Sequence, residues 1–322
     1  EERILPVGDP SRELLAPLRR CVRILTREHG IQLAWTTSLD PGATSGDVLC
    51  VSSKRFKAQW AVDGGAEILA WLHDARARVG RICWFDTSDG TGTTHFDVLP
   101  FVDRYVKNQV LRDRRAYQRA YYGSRIFTNF VHERFGVSDA DSGEPHLGRI
   151  PPDDALTKIV PGWHYGFLHY GAWGDSLTAL GHRLPWLPQR YSLRWGDVAA
   201  HRPMSVSCRM GVRYTRATVA YPRLEIRRRL AANGVPIDRI PRRAFFRELQ
   251  RSRAGISPFG YGEICYRDFE LIVAGAAMVK QDMSHLEAWP DLWTPGETYI
   301  PFAWDLSDFD GVVDGIRSSP RK

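Results

Sequence analysis

The stretch ISPFGYGEICYRDFELIVAGAAMVK, from Ile256 to Lys280, decides the fold prediction for this chain. It reads as a short apolar strand, a turn with two glycines, a helix and a second apolar strand. Strands that alternate with helices in this way are typical of a parallel sheet with crossover helices. Ligands of such sheets bind outside the carboxyl ends of the strands, so the loop from Ser257 to Gly262 is expected to face a ligand.

This loop and the helix after it have the residue types that bind a nucleotide. Gly260 and Gly262 permit close approach of the backbone to a ligand, and free N–H groups at a helix start attract phosphate. Glu263 and Glu270 are seven positions apart, on one face of the predicted helix, where a carboxylate suits ribose hydroxyls. Arg267 could pair with either glutamate or reach a phosphate. The alternative is an ordinary surface helix with a Glu–Arg pair.

Similar patterns extend through the rest of the chain. Its first part has predicted strands in GDVLCVSS and RICWFDTS, with amphipathic helices in SRELLAPLRRCVRILTREHG and GAEILAWLHDARARVG that stop at Gly30 and Gly80. Helical periodicity continues through FVDRYVKNQVLRDRRAYQRAYY. In the second part we predict a strand in MSVSCRM, a helix in YPRLEIRRRLAANG that stops at Gly234, a helix in RRAFFRELQRS and a terminal helix in SDFDGVVDGIRSS, which could return to the first part.

The predicted fold class is therefore α/β, with two Rossmann-like domains that face a cleft. We assign residues 1–165 to an N-terminal domain and residues 199–322 to a C-terminal domain with a terminal helix. Residues 166–198 form an aromatic-rich inter-domain region, with some helix expected around Gly166 to Ala179. The segment PGWHYGFLHYGAWGD, which begins before this region, could stack on a sugar ring or a base, or simply fill a core.

Composition narrows the function classes. The chain has 322 residues, 43% of them hydrophobic, and no run near the roughly 18 apolar residues of a membrane helix. Its start lacks the apolar core of a signal peptide. Five scattered cysteines without CxxC spacing argue against a disulfide framework or zinc site and favour the cytoplasm. A formal charge of +7 suggests an anionic partner, such as a nucleotide, a nucleic acid or an acidic polymer.

The segment SPFGYGEICYRDFELIVAGAAMVKQDMSH resembles the donor-binding core of GT-B glycosyltransferases, particularly the bacterial group-1-like proteins. The resemblance implies that the C-terminal domain binds the nucleotide-sugar donor and that the N-terminal domain is on the acceptor side. It also implies that Glu270 contacts the donor ribose and that the turn from Gly260 through Tyr261 to Gly262 lies against the donor diphosphate. The chain departs from the commonest retaining families, whose two glutamates are one residue further apart. Gly262 occupies the position of the first glutamate, so Glu263 is a candidate catalytic substitute.

The resemblance also implies basic residues beside the donor diphosphate. Arg209, Arg213 and Arg216 follow the predicted strand MSVSCRM, and arginine binds phosphate oxygens bidentately. An exposed basic strand end is the alternative. Lys280 and His285 come from the strand AAMVK and the loop after it, and we expect both on the cleft side. His285 could contact the diphosphate or a donor hydroxyl, or it could be structural.

The polar loop DTSDGTGTTHFD, from Asp86 to Asp97, is the candidate source of a general base. It follows a predicted strand, and no Gly-Lys-Ser/Thr follows its glycines, so it is not a P-loop. Asp86, at the end of the strand, is the leading candidate, with Asp89, His95 and Asp97 as alternatives. A turn stabilised by Asx and glycine residues is the competing interpretation, above all for Asp89.

These observations predict a metal-independent glycosyltransferase without a cofactor, which uses a nucleotide-sugar donor and an acceptor hydroxyl. One alternative is a nucleic-acid-binding protein, since the second half is basic and has interleaved aromatic residues. The two interpretations merge in an enzyme that glycosylates modified DNA bases. A third alternative is a GT-B scaffold that binds its ligand without catalysis.

Overall fold

The computed structural model describes residues 2–7, 18, 21–140, 150–164, 166 and 195–319. These residues form two parallel sheets with helices packed against them, so the predicted α/β fold with two Rossmann-like parts is confirmed. None of the helices in these ranges is long and apolar enough to cross a bilayer.

The first sheet has six strands in the order β2-β1-β3-β4-β5-β7, all parallel. Their bounds are β1 Glu2–Val7, β2 Ile31–Leu33, β3 Gly46–Ser52, β4 Val79–Asp86, β5 Arg104–Lys107 and β7 Ile159–Pro161. The strands predicted in GDVLCVSS and RICWFDTS are β3 and β4. These adjacent strands are apolar and largely buried, as a sheet covered on both faces requires.

The second sheet has four parallel strands in the order β12-β10-β9-β8. Their bounds are β8 Met204–Ser207, β9 Ser252–Ile256, β10 Ala277–Gln281 and β12 Ile300–Phe302. A short antiparallel ladder between β6, Val110–Leu111, and β11, Leu286–Glu287, connects the two parts of the chain. Each part therefore contributes one strand to a sheet that neither forms by itself.

Eight helices are described. They are α1 Val22–His29, α2 Lys57–Asp63, α3 Ala66–Arg76, α4 Ile126–Phe135, α5 Ala217–Ala232, α6 Arg242–Gln250, α7 Tyr266–Ala274 and α8 Phe309–Ser318. Gly30 and Gly234 follow α1 and α5 with φ of 65° and 70°, a left-handed conformation that glycine adopts without strain. Both predicted helix stops are therefore confirmed.

Each sheet has its own hydrophobic core, but one helix of the first part packs into the core of the second part. Phe127 of α4 packs with Phe259 and other buried side chains of the second part, although α4 precedes the second sheet in sequence. In the terminal helix, Phe309 and Val313 pack with Val206 of β8. The suggestion that this helix returns to the first part is therefore wrong.

Three local predictions are wrong. FVDRYVKNQVLRDRRAYQRAYY is not a helix, because Tyr105 pairs with Trp84 on one side and Ile159 on the other within the first sheet. α3 ends at Arg76 rather than Gly80, since β4 already begins at Val79.

The third error concerns the stretch at the centre of the fold prediction. α7 begins only at Tyr266, because Cys265 and Asp268 form a capping box at its start. Glu263 therefore lies in the loop, and the expectation that it shares a helix face with Glu270 is wrong. Of the inter-domain region, only Gly166 and residues 195–198 are described, so the helix predicted around Gly166 to Ala179 lies outside the described residues.

Candidate active site

The loops at the carboxyl ends of β4 and β9 meet between the two sheets. Glu263, in the β9 loop, accepts hydrogen bonds from the Thr91 N–H at 2.9 Å and from the Thr91 hydroxyl at 2.6 Å. Beside them, the Ile264 N–H donates to Gln109 Oε1 at 3.0 Å. Ligands of open α/β sheets bind at these strand ends, so the region where the loops meet is the candidate site.

A cavity of about 220 Å³, which we call the aromatic cavity, is lined by residues of both parts of the chain. The residues in its wall that matter here are Asp89, Asn108, His164, Tyr214, Tyr261 and Tyr266. Two polar atoms of this wall, His164 Nε2 and Asn108 Oδ1, are buried without a hydrogen-bond partner among the described residues. Buried polar atoms are nearly always paired in folded proteins, so this pair is suited to a polar ligand. Burial lowers the pKa of His164 to about 4, which keeps the ring neutral at pH 7.

A second cavity of about 410 Å³, which we call the basic cavity, lies at the carboxyl ends of β3 and β4. The residues in its wall that matter here are Lys54, Lys57, Asp89, His95, Arg125 and Tyr261. Its volume falls in the range of roughly 300 to 1,000 Å³ that is typical of small-molecule sites. Three cationic side chains in one wall make it suited to an anionic or hydroxylated ligand.

Asp89 lies in the wall of both cavities, a position it shares with Tyr261. Its side chain is exposed, and it forms no hydrogen bond or ion pair with any described residue. An accessible carboxylate without a partner can accept a proton from a substrate that occupies either cavity. Among the acids predicted in the Asp86–Asp97 loop, Asp89 is therefore the one that the geometry favours as a base.

Asp86, the leading sequence candidate, is fully buried. It accepts hydrogen bonds from the Tyr105 hydroxyl, from Lys107 Nζ at 3.3 Å and from the Ser88 N–H at 2.8 Å. Burial acts to raise the pKa of Asp86, but Lys107, His95 and Tyr105 outweigh it and hold the pKa well below its usual range. A carboxylate enclosed in this way has no access to an acceptor, so the geometry argues against Asp86 as the base.

His95 lines the basic cavity, with Nδ1 at 3.5 Å from Asp86 Oδ1. Its ring packs edge-on against Trp60, with centroids 4.5 Å apart. The buried Asp86 therefore orients His95, and His95 can hydrogen-bond a ligand in the cavity. Asp97, the remaining candidate, lies in the 3₁₀ segment Phe96–Phe101 and is not among the described residues that line either cavity.

Glu263 connects the two parts of the chain and is fully buried. Both of its oxygens accept hydrogen bonds from Thr91, and Oε1 lies 3.6 Å from His285 Nε2. Burial acts to raise the pKa of Glu263, but His285 and Thr91 outweigh it, so the pKa lies below its ordinary value. The carboxylate has no contact with either cavity, and a catalytic role for Glu263 is not supported by this geometry.

The predicted diphosphate arginines lie away from the two cavities. Arg209 makes a bidentate ion pair with Glu248, with Nε 3.0 Å from Oε1 and Nη2 2.7 Å from Oε2. Arg267 donates to the Arg209 carbonyl at 2.6 Å and stacks over a phenyl ring of α6. Arg213 is exposed, and Arg216 lies 3.8 Å from Asp139. None of the four is among the described residues in the walls of the two cavities.

Lys280 and His285 are also used within the protein. Lys280 is fully buried, and its ammonium lies 3.0 Å from Asp268, the residue that caps α7. His285 packs edge-on against Trp304, with centroids 4.9 Å apart. Glu270 lies on α7 but is not among the described residues of either cavity wall, so its contact with a ribose stays a prediction.

The glycine loop is the sequence prediction that the geometry favours most among the donor-binding residues. Gly260, Tyr261 and Gly262 all line the aromatic cavity. A Cβ atom at Gly262 would lie 2.8 Å from the Gly90 nitrogen, so only glycine allows the two loops to approach this closely. Arg223 holds the loop in place, because it donates hydrogen bonds to the Pro258 and Phe259 carbonyls at 2.9 and 2.7 Å.

Sequence reasoning missed most of this region, including Lys54, Lys57, Asn108, Arg125, His164, Tyr214, Arg223 and Tyr266. Asn108 and Arg125 lie in segments whose periodicity suggested only helices or connecting chain. A detectable signal existed for Tyr214, which lies among the arginines that follow β8. Among the described residues there is no group of three or more side chains that could ligate a metal, and metal independence stays a prediction.

No protein-family model matches the chain, and no curated protein sequence matches it. Among solved structures, the chain is similar to an alpha-glucosyltransferase in complex with UDP-glucose and DNA containing an abasic site. The TM-score is 0.42 at 10% sequence identity, over 98% of this chain and 89% of that chain. At this level of similarity, function has to be derived from the side chains of this chain.

Proposed function

We propose that the protein is a glycosyltransferase that moves a sugar from a nucleotide-activated donor to an acceptor hydroxyl. The observation that carries the proposal is the position of Asp89, an accessible carboxylate in the common wall of two cavities. A transferase needs two adjacent binding sites and a group that acts where they meet. The two cavities at the carboxyl ends of two parallel sheets fit that requirement.

The nucleoside of the donor occupies the aromatic cavity. Tyr214 and Tyr266 offer ring faces for a nucleobase. The unpaired His164 Nε2 and Asn108 Oδ1 fit the polar edge of a base or the ribose hydroxyls. Glu270 remains a candidate ribose ligand. In this proposal the transferred sugar is a hexose or pentose, and no metal or cofactor is required.

The acceptor occupies the basic cavity, beside Asp89 and His95. Asp89 takes the proton of the acceptor hydroxyl while the hydroxyl oxygen forms the bond to the anomeric carbon of the sugar. The bond from that carbon to the diphosphate oxygen breaks, and the nucleoside diphosphate leaves with the electron pair. Contact between the loops that follow β4 and β9 limits access of water to the cleft and so protects the donor from hydrolysis.

A thermal-shift panel of UDP, GDP, CMP, ADP and dTDP tests the donor site. One nucleotide should raise the melting temperature of the wild type and lose its effect in Tyr266→Ala, whose side chain is 50% exposed and tolerates truncation. Leu224→Ala, at an equally exposed position outside both cavities, is the matched control. Glu270→Ala tests the predicted ribose contact in the same panel. No shift with any nucleotide at millimolar concentration would refute the proposed donor site.

A second candidate acceptor, a hydroxylated base in DNA, is favoured by the exposed Lys54 and Lys57 at the basic cavity and by the formal charge of +7. Binding of DNA through several phosphates weakens steeply between low and moderate salt. Binding of a small acceptor should depend on salt much less. A salt titration of oligonucleotide binding therefore distinguishes the two acceptors. We also expect the protein in the cytoplasm, from its cysteine usage.

A further inference from the structure

Arg125 is a buried cation whose charge has no ion-pair partner in the described part of the chain. Its side chain is 6% exposed and lines the basic cavity. The guanidinium makes one hydrogen bond to a described residue, from Nη1 to the Gly123 carbonyl at 3.1 Å. Nε is buried without an acceptor, and no described carboxylate lies within ion-pairing distance. Most of the donors of this guanidinium are therefore available to a ligand.

Leaving such a charge unpaired costs free energy, because buried charges need a counterion or a full set of hydrogen bonds. Glu263 and Asp89 attract Arg125 only at longer range, and Arg216 repels it. Both oxygens of Glu263 already accept hydrogen bonds from Thr91. The described residues therefore supply no close anion for Arg125, and an anionic ligand would supply that partner.

The surroundings of Arg125 fit a phosphate. Lys57 lines the same cavity, is exposed, and forms no ion pair with any described residue. Thr87 and Ser88, whose hydroxyls can donate to phosphate oxygens, belong to the same wall at the carboxyl end of β4. Arginine binds two phosphate oxygens through its planar fork, and lysine adds a compact charge.

We infer that Arg125 and Lys57 form a phosphate-binding site in the basic cavity. Arg125 lies over the ring of Tyr261, 5.9 Å from its centroid, and Tyr261 lines both cavities. The site therefore lies where the cavities adjoin. This inference rests on the proposed function, in which the bound group is a phosphate of one of the two substrates. It is either the diphosphate of the donor or a phosphate carried by the acceptor. Arg125 replaces Arg209 as the principal phosphate ligand.

The test is isothermal titration of the whole protein with pyrophosphate, comparing wild type with Arg125→Gln and Lys57→Gln. Loss of one charge-assisted hydrogen bond weakens binding about tenfold or more, so we expect at least that loss in Arg125→Gln and a smaller loss in Lys57→Gln. Lys57 is exposed, so its variant reports on the site even if Arg125→Gln folds poorly. Unchanged pyrophosphate affinity in Lys57→Gln and in folded Arg125→Gln would overturn the inference.

Stability without ligand gives a second readout. Removing an unpaired buried charge is neutral or stabilising, so Arg125→Gln should melt at or above the wild-type temperature. Arg223 is equally buried, but its guanidinium donates to three carbonyls, those of Gly211, Pro258 and Phe259. Arg223→Gln should therefore melt lower. A clear loss of stability in Arg125→Gln would indicate a structural role and contradict the inference.

Paired probes identify the source of the phosphate. If UDP binds more tightly than uridine and Arg125→Gln removes the difference, the site binds the donor diphosphate. If glucose 6-phosphate binds more tightly than glucose and the variant removes that difference, it binds an acceptor phosphate. If pyrophosphate binding depends on Arg125 but no nucleotide binds, the phosphate site stands and the proposed transferase falls. If a nucleotide binds without any dependence on Arg125 or Lys57, the phosphate site falls and the proposed transferase stands.

Discussion

Substitution of Glu263 by glutamine weakens a buried polar contact between the two parts of the chain. Glu263 is fully buried and accepts both the N–H and the hydroxyl hydrogen of Thr91, at 2.9 and 2.6 Å. Glutamine has the same size but only one acceptor oxygen. Its NH₂ group would meet a donor of Thr91 in place of the second oxygen.

The expected loss follows from these contacts. Hydrogen bonds to a charged group contribute about 1.5–3 kcal/mol each, and an unsatisfied buried donor costs about 1–3 kcal/mol. Since glutamine can keep one of the two hydrogen bonds in weaker, neutral form, we expect Glu263→Gln to lower the free energy of unfolding by about 2–5 kcal/mol.

Urea denaturation monitored by tryptophan fluorescence measures this loss, in a double-mutant cycle with Thr91→Val. The coupling energy between the two positions should be about 1–3 kcal/mol, since they are in direct contact. Glu133→Gln is the control: Glu133 is 60% exposed, lies 3.7 Å from Arg119, and should change stability by less than about 0.5 kcal/mol. Additive effects of Glu263→Gln and Thr91→Val would refute the reasoning.

Three further predictions concern stability. Folding lowers the pKa values of Glu263 and Asp86, so the stability that they contribute is present above the ordinary carboxyl pKa, 4.5 for a glutamate, and is lost as pH falls through the folded values. The urea midpoint of the wild type should therefore drop below about pH 4.5, and that of Glu263→Gln should drop less steeply. Equal slopes in the two proteins would contradict this. Lys280→Met leaves the buried Asp268 without its cation and should lower the free energy of unfolding by about 3–5 kcal/mol. The double variant Lys280→Met/Asp268→Leu should largely restore this stability if the ion pair, and not the packing of the lysine, is responsible. Gly92→Ala should prevent stable folding, because its Cβ would lie 1.6 Å from the Ser124 carbonyl oxygen, whereas Gly211→Ala, with open space around it, should melt like the wild type.

The sequence predicted the sheet strands best where apolar runs are continuous. β3 and β4 contain the apolar runs VLCV and ICWF, and a strand covered on both faces needs little else to be recognised. The sequence pattern did not predict β5, whose Tyr105 pairs with Trp84 and Ile159, two residues far away in the chain. Periodicity reports local amphipathicity, and here a tertiary pairing overrode it.

Prediction of the site had the same limit. The Asp86–Asp97 loop and the turn from Gly260 to Gly262 were identified from local composition, and both lie at the cleft. The choice between Asp86 and Asp89 depends on Lys107, which is 21 positions from Asp86 and neutralises it. Only the fold brings that lysine to the end of β4. Arg125 carries no local signal, because its role arises from burial without a partner.

The start of α7 is different, because its signal was present in the sequence. Cys265 followed three residues later by Asp268 fits a helix cap, in which the acidic side chain accepts the N–H of the cap residue. Reading that cap would have placed Glu263 before the helix. It would also have shown that Glu263 and Glu270 do not lie on one helix face.

The most direct test of the proposed function is release of nucleoside diphosphate from a panel of nucleotide-activated sugars, with water or added hydroxyl compounds as acceptors. The wild type should release diphosphate from one donor, and Asp89→Asn should be slower by about 10²–10⁴-fold, the contribution typical of a general base. Its nucleotide-induced thermal shift should remain, because Asp89 is exposed and unpaired among the described residues. Asp314→Asn, at an exposed position on α8, is the control and should retain the wild-type rate. Wild-type rates in Asp89→Asn, or no release from any donor by the wild type, would contradict the assignment.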